Sequence, residues 1–259
     1  MSDAPRVRVE RRDAVGRLTI SRPDKRNARE RQTAEELFAG LSMLEAEPSV
    51  RVILVRGEGK DFCAGADLEA LASMIDAPSE VHREDAETLG RVFLAMRTMV
   101  KPIVAAVQGR ALAGGAGLAL ACDLELAHED AKFGFPEVKV GFVPAMVMTL
   151  LRRSVGEKHA ADLVLTGRIV GAEEGARLGM VSHILPGRTF ETDVDRILDE
   201  ISQSPKTAMA LTKWLFNKLD ELSFADGIAA GIVTNVEARL TDDFREGVRT
   251  FVARTRDRK

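Results

Sequence analysis

Two short glycine-bearing segments carry the residue types that could do chemistry in this chain. Phe62-Cys63-Ala64-Gly65-Ala66-Asp67-Leu68 and Leu112-Ala113-Gly114-Gly115-Ala116-Gly117 each follow a β-branched stretch and open onto a helical pattern. A strand that ends in small residues and turns into a helix leaves backbone N–H groups without partners at the helix start. With no bulky side chain in the way, a ligand oxygen can come close to that backbone. Two such turns facing one point would form an oxyanion hole. Small residues also let a helix pack tightly on a strand, and the sequence alone leaves both uses open. One acid, Glu137, follows Pro136 and is flanked by Phe133, Phe135, Val138 and Val140. Apolar surroundings raise a carboxylate's pKa and suit it to proton exchange near neutrality. An acid there could equally be a solvated loop residue.

Other motifs fail on their residues. Gly115-Ala116-Gly117 lacks the third glycine of a dinucleotide fingerprint. Gly109 to Gly114 has phosphate-loop spacing, but Gly115-Ala116 follows where Lys-Ser/Thr is needed. There is no HExxH and no GxSxG, and His82, His128, His159 and His183 are scattered along the chain. No metal site is expected. Cys63 and Cys122 are too few for a disulfide framework or a cysteine zinc site and read as buried thiols. The absence of Tyr excludes any site built on a phenol.

The elements that must position these groups alternate strand with helix. Val7–Val9 and Leu18–Ile20 read as a hairpin. Ala34, Leu37, Phe38, Leu41 and Leu44 predict an amphipathic helix over 29–46. Strands are expected over 50–55, 102–107 and 123–127, and a helix capped by Ser79. A continuous turn over 109–117 is expected to open a helix at Leu118. After about residue 190 only helical periodicity remains. There Ser204 caps a helix with Pro205 in its first position, Ala208, Leu211, Leu215 and Leu219 share a face, and Thr241 can cap the last helix. The alternation reads as α/β, and a chain of 259 residues, 45% hydrophobic and 30% charged, is long enough for one large core, or one core plus a small appendage, and is not a disordered one. A net charge of −3 gives no basic field for nucleic acid. No apolar run approaches the roughly 20 residues of a membrane span. The alternation of Arg6 and Arg8 with Val7 and Val9 reads as a strand, not a leader, so the cytoplasm is the expected location.

The segments Ile20 to Ala28, Phe62 to Leu68, Val107 to Gly115 and Phe133 to Gly141, with Asp243 to Phe251 near the end, resemble the enoyl-CoA hydratase/isomerase (crotonase) family. They fall in that family's order and spacing, and the similarity runs over nearly the whole chain. The resemblance implies a spiral of ββα repeats over 1–195 holding an acyl-CoA site. It implies a helical region over 196–259 that makes a homotrimer or a dimer of trimers. Coenzyme A enters as part of the substrate, and no separate cofactor is implied. By position, the oxyanion donors fall on the backbone N–H groups of Ala66 and Gly114, one such donor being worth about 10²–10³ in rate. Gly115 and Gly117 would meet the substrate in the same turn. Lys25, Arg26 and Lys60 could pair with CoA phosphates, and the backbone at Ala64, Asp67 and Leu68 could meet adenine. Phe251 matches an aromatic that reaches the CoA of a neighbouring subunit. It is followed by a basic tail of Arg254, Arg256, Arg258 and Lys259 that a helix dipole would favour with no ligand at all. Pocket walls are expected from the loop after Leu68 and from Gly141 to Met146, with Phe142 and Met146 along an acyl tunnel.

One departure from the family decides the expected reaction. Glu137 aligns with one of two hydratase glutamates, but the other falls on Gly117. Hydration holds a water between two carboxylates, and losing an acid/base group costs about 10²–10⁴. A double-bond shift needs one base, which takes a proton from one carbon and returns it to another. The residues therefore favour isomerisation through an oxyanion-stabilised enolate. The alternatives are a hydratase that tolerates Gly117 and a catalytically reduced CoA-binding or scaffold protein. Asp67 and Glu69 are expected to be structural, and Glu125 to lie on a strand away from the site.

Overall fold

The computed structural model describes residues 5–256. The chain opens with a hairpin of β1 (Val7–Arg12) and β2 (Val15–Ile20), turned at Asp13, whose φ of 52° is left-handed. Helix α1 (Arg31–Ala46) buries Ala34, Leu37, Leu41 and Leu44, as their spacing predicts, but leaves Phe38 of the expected face exposed. The next strand, β3, is Val52–Gly57, two residues later than expected. Val50 and Arg51 instead close the turn, bonding back to Glu47 O and Ala14 O. A short helix α2 (Leu68–Ser73) and a long α3 (Ser79–Thr98) follow. Ser79 does not cap α3. Pro78 holds the capping position and Ser79 is the first helical residue.

The second correction concerns the glycine-rich segment. After β4 (Ile103–Val107) the chain does not run as one turn to Leu118. It forms a three-residue strand, β5 (Arg110–Leu112), and helix α4 already begins at Gly114 and ends at Leu120. β5 exists because it has a partner on each side, pairing with β7 (Lys132–Gly134) and, through an isolated bridge, with Cys63. Between them β6 (Leu124–His128) returns to the large sheet. The remaining elements are α5 (Ala145–Val155), α6 (Glu157–Thr166), β8 (Ile169–Gly171), α7 (Ala172–Leu178), β9 (His183–Leu185) and α8 (Phe190–Ser202), then α9 (Lys206–Lys218), α10 (Phe224–Leu240) and α11 (Asp242–Arg256).

The strands form two sheets, β1-β2-β3-β4-β6-β9 and β5-β7-β8. Each turn of the chain gives one strand to the large sheet, one to the small sheet, and then a helix: β4–β5–α4, then β6–β7–α5. The segment β3–Cys63–α2 repeats the pattern with a single bridge as its second strand. This is a spiral of ββα units. Alternation along β3 and β4 splits the core in two. Ile53, Val55, Ile103, Ala105 and Val107 face the main core between the sheets and helices. Val52, Leu54, Val104 and Ala106 face α8 through Val194 and Leu198.

The last three helices pack on one another and α9 reaches back to the core. Pro205 caps α9 rather than opening it, so the helix starts at Lys206, one residue later than expected. The apolar face of α9 is not what docks it. Lys213 is its buried side chain, 7% exposed, and its Nζ donates to Lys101 O (2.9 Å) and pairs with Asp123 Oδ2 (2.7 Å). Leu215 and Leu219 instead line a groove of about 710 Å³ with Phe224, Ile228 and Ile232 of α10. Thr241 does meet α11, its hydroxyl accepting from Phe244 N. Asp257, Arg258 and Lys259 of the basic tail lie outside the described residues. No helix among the described residues is long and apolar enough to cross a membrane.

Candidate active site

The first glycine turn is fixed from beneath by polar side chains. Asn27, in a left-handed conformation (φ 55°), donates to Glu58 O (2.9 Å) and Asp61 O (2.7 Å) and accepts from Arg22 N (2.9 Å). Ala64 N donates to Arg26 O (3.0 Å), so the 22–28 segment lies directly on the turn. Burial opposes ionisation of Asp61, but hydrogen bonds from the Arg110 side chain and backbone outweigh it and hold its pKa low. Asp67 is likewise kept ionised, its burial outweighed by Arg22 (2.9 Å) and by the Glu69 and Ala70 N–H groups that it caps. Asp67 is therefore a structural acid, and Glu69 pairs with Lys25.

That frame leaves the Ala66 N–H aimed elsewhere. Arg29 N donates to Gly65 O and Asp67 N donates to Arg29 O, both at 2.7 Å. These two bonds make a parallel bridge in which Ala66 itself bonds to nothing, so its N–H faces away from Arg29. The second turn is bound to the first by Cys63 N to Arg110 O and Leu112 N to Cys63 O, each 3.0 Å. Ala113 N is taken by Gly134 O (2.8 Å), which leaves Gly114 as the first helical N–H, with no carbonyl a turn earlier to receive it. Among the described residues neither the Ala66 nor the Gly114 N–H donates a hydrogen bond.

Glycine is required where the two turns touch. Gly65 has φ +98°, and a Cβ there would lie 2.9 Å from Ala113 Cβ. A Cβ on Gly115 would strike Cys63 O. Ala113 itself is held at φ 52°, ψ −126°, a strained conformation for any residue with a side chain. Its carbonyl accepts the first helical bond of α4, from Gly117 N (3.0 Å).

Glu137 is tied to the second turn through the small sheet. β5 pairs with β7 so that Leu112 faces Gly134, and the 3-10 turn Pro136–Val140 begins two residues further on. Phe133 and Phe135 are fully buried and anchor that turn, and Glu137 is 8% exposed. Its Oε2 has no hydrogen-bond partner among the described residues. Burial pushes the Glu137 carboxyl above the ordinary range, partly offset by its own backbone N–H. The walls are apolar. A Cβ on Gly114 would contact Leu89 of α3 at 3.7 Å. A Cβ on Gly117 would lie 2.6 Å from Val147 Cγ2 and 3.0 Å from Phe93 Cζ. The space where a side chain at 117 would stand is occupied.

Backbone pairing thus links the turns that carry Ala66, Gly114, Gly115 and Gly117 to the turn that carries Glu137. Lys25 is engaged by Glu69, and Lys60 and Leu68 are exposed on the outer side of the first turn. Met146 is half-buried against the core, while Phe142 is 55% exposed. Phe251 stands exposed on α11. Glu125 is buried on β6, its side chain on the main-core face of the large sheet. Phe93, Val147 and Arg29 are not singled out by the sequence, because helical spacing marks Phe93 only as core and Arg29 sits in no motif of charge.

The family model described as enoyl-CoA hydratase/isomerase matches residues 10–258. A relative from Thermus thermophilus named "Putative enoyl-CoA hydratase" is 42% identical over 238 residues, covering 92% of this chain and 94% of its own. A Mycobacterium smegmatis enoyl-CoA hydratase structure superposes with a TM-score of 0.92 at 29% identity, covering 97% of both chains. An enoyl-CoA hydratase structure from Bacillus anthracis gives 0.90 at 28% identity, covering 96% of both.

Proposed function

The chain belongs to the enoyl-CoA hydratase/isomerase family of acyl-CoA enzymes, and from that premise we propose that it shifts a double bond in an enoyl-CoA with a single base, Glu137. The thioester oxygen sits on the Ala66 and Gly114 N–H groups. The Glu137 carboxylate removes a proton from C2 of a 3-enoyl chain, and the electron pair passes into an extended enolate whose oxygen the two N–H groups hold. Glu137, now protonated, returns the proton to C4, and the double bond is left between C2 and C3. Nothing is added or lost.

The observation that carries this reading is the filled space at Gly117, closed by Val147 and Phe93. A second carboxylate has no room there. The other acids are committed: Asp67 to Arg22, Glu69 to Lys25, and Glu125 to the interior of the sheet. The relatives' hydratase names favour a second reading, in which water is added despite Gly117. Parallel incubations with a 3-enoyl-CoA and a trans-2-enoyl-CoA in deuterated water separate the two. Label uptake with a moved double bond from the 3-enoyl ester, abolished in Glu137→Gln, supports isomerisation. Accumulation of the 3-hydroxyacyl ester from the 2-enoyl ester at a rate above that of Glu137→Gln, with the 3-enoyl ester left unlabelled and unshifted, supports hydration and overturns the proposal.

For CoA, the reading assigns Lys25, Arg26 and Lys60 to phosphate, the backbone at Ala64, Asp67 and Leu68 to adenine, and Phe251 to a neighbouring subunit's ligand. It assigns α9 to α11 to a homotrimer or dimer of trimers. Support for assembly comes from the apolar surface that α10 leaves uncovered, with Phe224 89% and Val233 67% exposed. Sedimentation at several concentrations tests it, and a monomer at all of them counts against it.

A further inference from the structure

Beside the first glycine turn lies a cavity of about 210 Å³, walled by Ala66, Leu71, Met74, Arg29 and Asp85. Its volume holds several waters or a short acyl segment. Arg29 is the residue opposite Ala66 in the parallel bridge, so the two side chains leave the bridge on one face. The Arg29 side chain is 12% exposed. Its Nε and Nη1 are sealed from solvent and, among the described residues, donate no hydrogen bond. Asp85 balances its charge at 3.8 Å, beyond hydrogen-bond distance. The other charged groups at the cavity are engaged elsewhere. Asp67 holds Arg22, Glu30 holds Arg6 (2.8 Å) and Arg22 (3.6 Å), and Arg31 pairs with Glu35 and Glu84. A buried guanidinium with unmade donors is costly. With its charge already opposed, what Arg29 lacks is acceptor oxygen.

We propose that Arg29 is a specificity-determining residue that bonds an oxygen on the acyl chain, making the substrate class oxygen-bearing acyl-CoA thioesters rather than plain alkyl ones. The proposal rests on the reading of Ala66 as an oxyanion donor, since Ala66 also walls this cavity and an acyl chain held at that residue can turn into it. The acceptor is either a carboxylate or an uncharged hydroxyl, and both would complete the same donors.

The test is calorimetric binding of three five-carbon thioesters, pentanoyl-CoA, 4-hydroxypentanoyl-CoA and glutaryl-CoA, to the wild type, Arg29→Gln and Arg29→Leu. At least one oxygenated ester binds the wild type about tenfold tighter than pentanoyl-CoA, the worth of one hydrogen bond to a charged group. That ratio falls to near one in the variants. Preference for glutaryl-CoA alone assigns a carboxylate, and preference for both esters assigns any acceptor oxygen. Equal binding of all three by the wild type, or a preference that survives in both variants, overturns the role of Arg29 and leaves the oxyanion site standing. Failure of all three to bind the wild type overturns the site reading and this proposal with it. The wild-type comparison decides even where a variant fails to fold.

Discussion

Placing a carboxylate at position 117 tests the reasoning about this site most directly. Ordinary van der Waals contact begins near 3.4 Å, yet a Cβ on Gly117 would stand 2.6 Å from Val147 Cγ2 and 3.0 Å from Phe93 Cζ. Val147 would have to retreat by close to an ångström before any carboxylate is accommodated. Both neighbours are buried, so neither can swing into solvent. Overpacking of this kind costs roughly 1–3 kcal/mol, and an acid without partners in an apolar wall adds to it. Gly117→Glu alone should therefore lower Tm by roughly 4–10 °C in a chain of this size and add no hydratase activity. Val147→Ala removes both offending methyl groups. The double variant Gly117→Glu/Val147→Ala should melt above the Gly117→Glu single, because the two changes share one volume. With two carboxylates flanking the substrate, it should hydrate a 2-enoyl-CoA about 10²-fold faster than the wild type.

The assays are thermal melts by circular dichroism and the loss of enoyl-thioester absorbance. A Gly117→Glu single with wild-type Tm refutes the steric argument. A folded double variant with no gain in hydration refutes the placement of Glu137 opposite that wall.

Three further outcomes follow from the buried charges. Burial holds the Glu137 proton more tightly than in a solvated acid, and a base acts only when ionised. Turnover should thus rise with pH through an inflection above the ordinary 4.5, and an inflection at or below 4.5 contradicts the assignment. Glu125 is fully buried with neither carboxylate oxygen hydrogen-bonded among the described residues, and burial drives its pKa well up. Its proton is retained in the folded state above pH 4.5 while the unfolded chain loses it, so stability from this group is intact below 4.5 and falls by about 1.4 kcal/mol per pH unit as pH rises toward the folded pKa. Glu125→Leu should accordingly raise Tm more at pH 7 than at pH 4.5, and an equal or smaller gain at pH 7 sinks this account. Lys213→Met leaves Asp123 without its 2.7 Å partner in a largely buried position, at a cost of about 3 kcal/mol. Because Lys213 ties α9 to the core, the fluorescence of neighbouring Trp214 should change at a lower temperature than the circular dichroism. Coincident transitions at the wild-type Tm would show that the pair does not dock the helix.

The sequence carries α1 and the strands through β6 because their apolar spacing is set by burial on one or two faces, which is a local property. It carries the two glycine turns because small residues at a strand end are visible as letters. The three-residue strands β5, β7 and β8 leave no such trace. Their pairing is long-range, Cys63 with Ala111 and Leu112 with Gly134, and three residues are too few to show a period. The docking of α9 is hidden for a different reason. Its apolar residues read as the buried face, but within one chain the buried group is Lys213, held by an acid and a carbonyl from the 101–123 region. The exposure of Leu219 at 44% shows that this apolar face is not buried in the core.

Gly117 shows how far the two kinds of information differ. As a letter it is only the lack of a carboxylate, and a water or a nearby acid could stand in its place. In the fold it is a volume already taken by Phe93 of α3 and Val147 of α5, residues 24 before it and 30 after it in the chain. The substitution of glycine and the packing of Val147 depend on each other, since either alone gives a clash or a void. Glu137 breaks the usual rule for buried acids by keeping an oxygen unpartnered, and Ala113 breaks the usual rule for backbone by its φ of 52°. Both follow closely on the strand pair β5–β7, Ala113 directly after β5 and Glu137 in the turn after β7. Such costs persist where the surrounding structure over-determines them and a ligand recovers part of the loss. A substrate with its carbonyl on the two free N–H groups and an acidic C–H against Glu137 would recover it here. The same reasoning extends to Arg29, whose unmade donors lie across the bridge from Ala66.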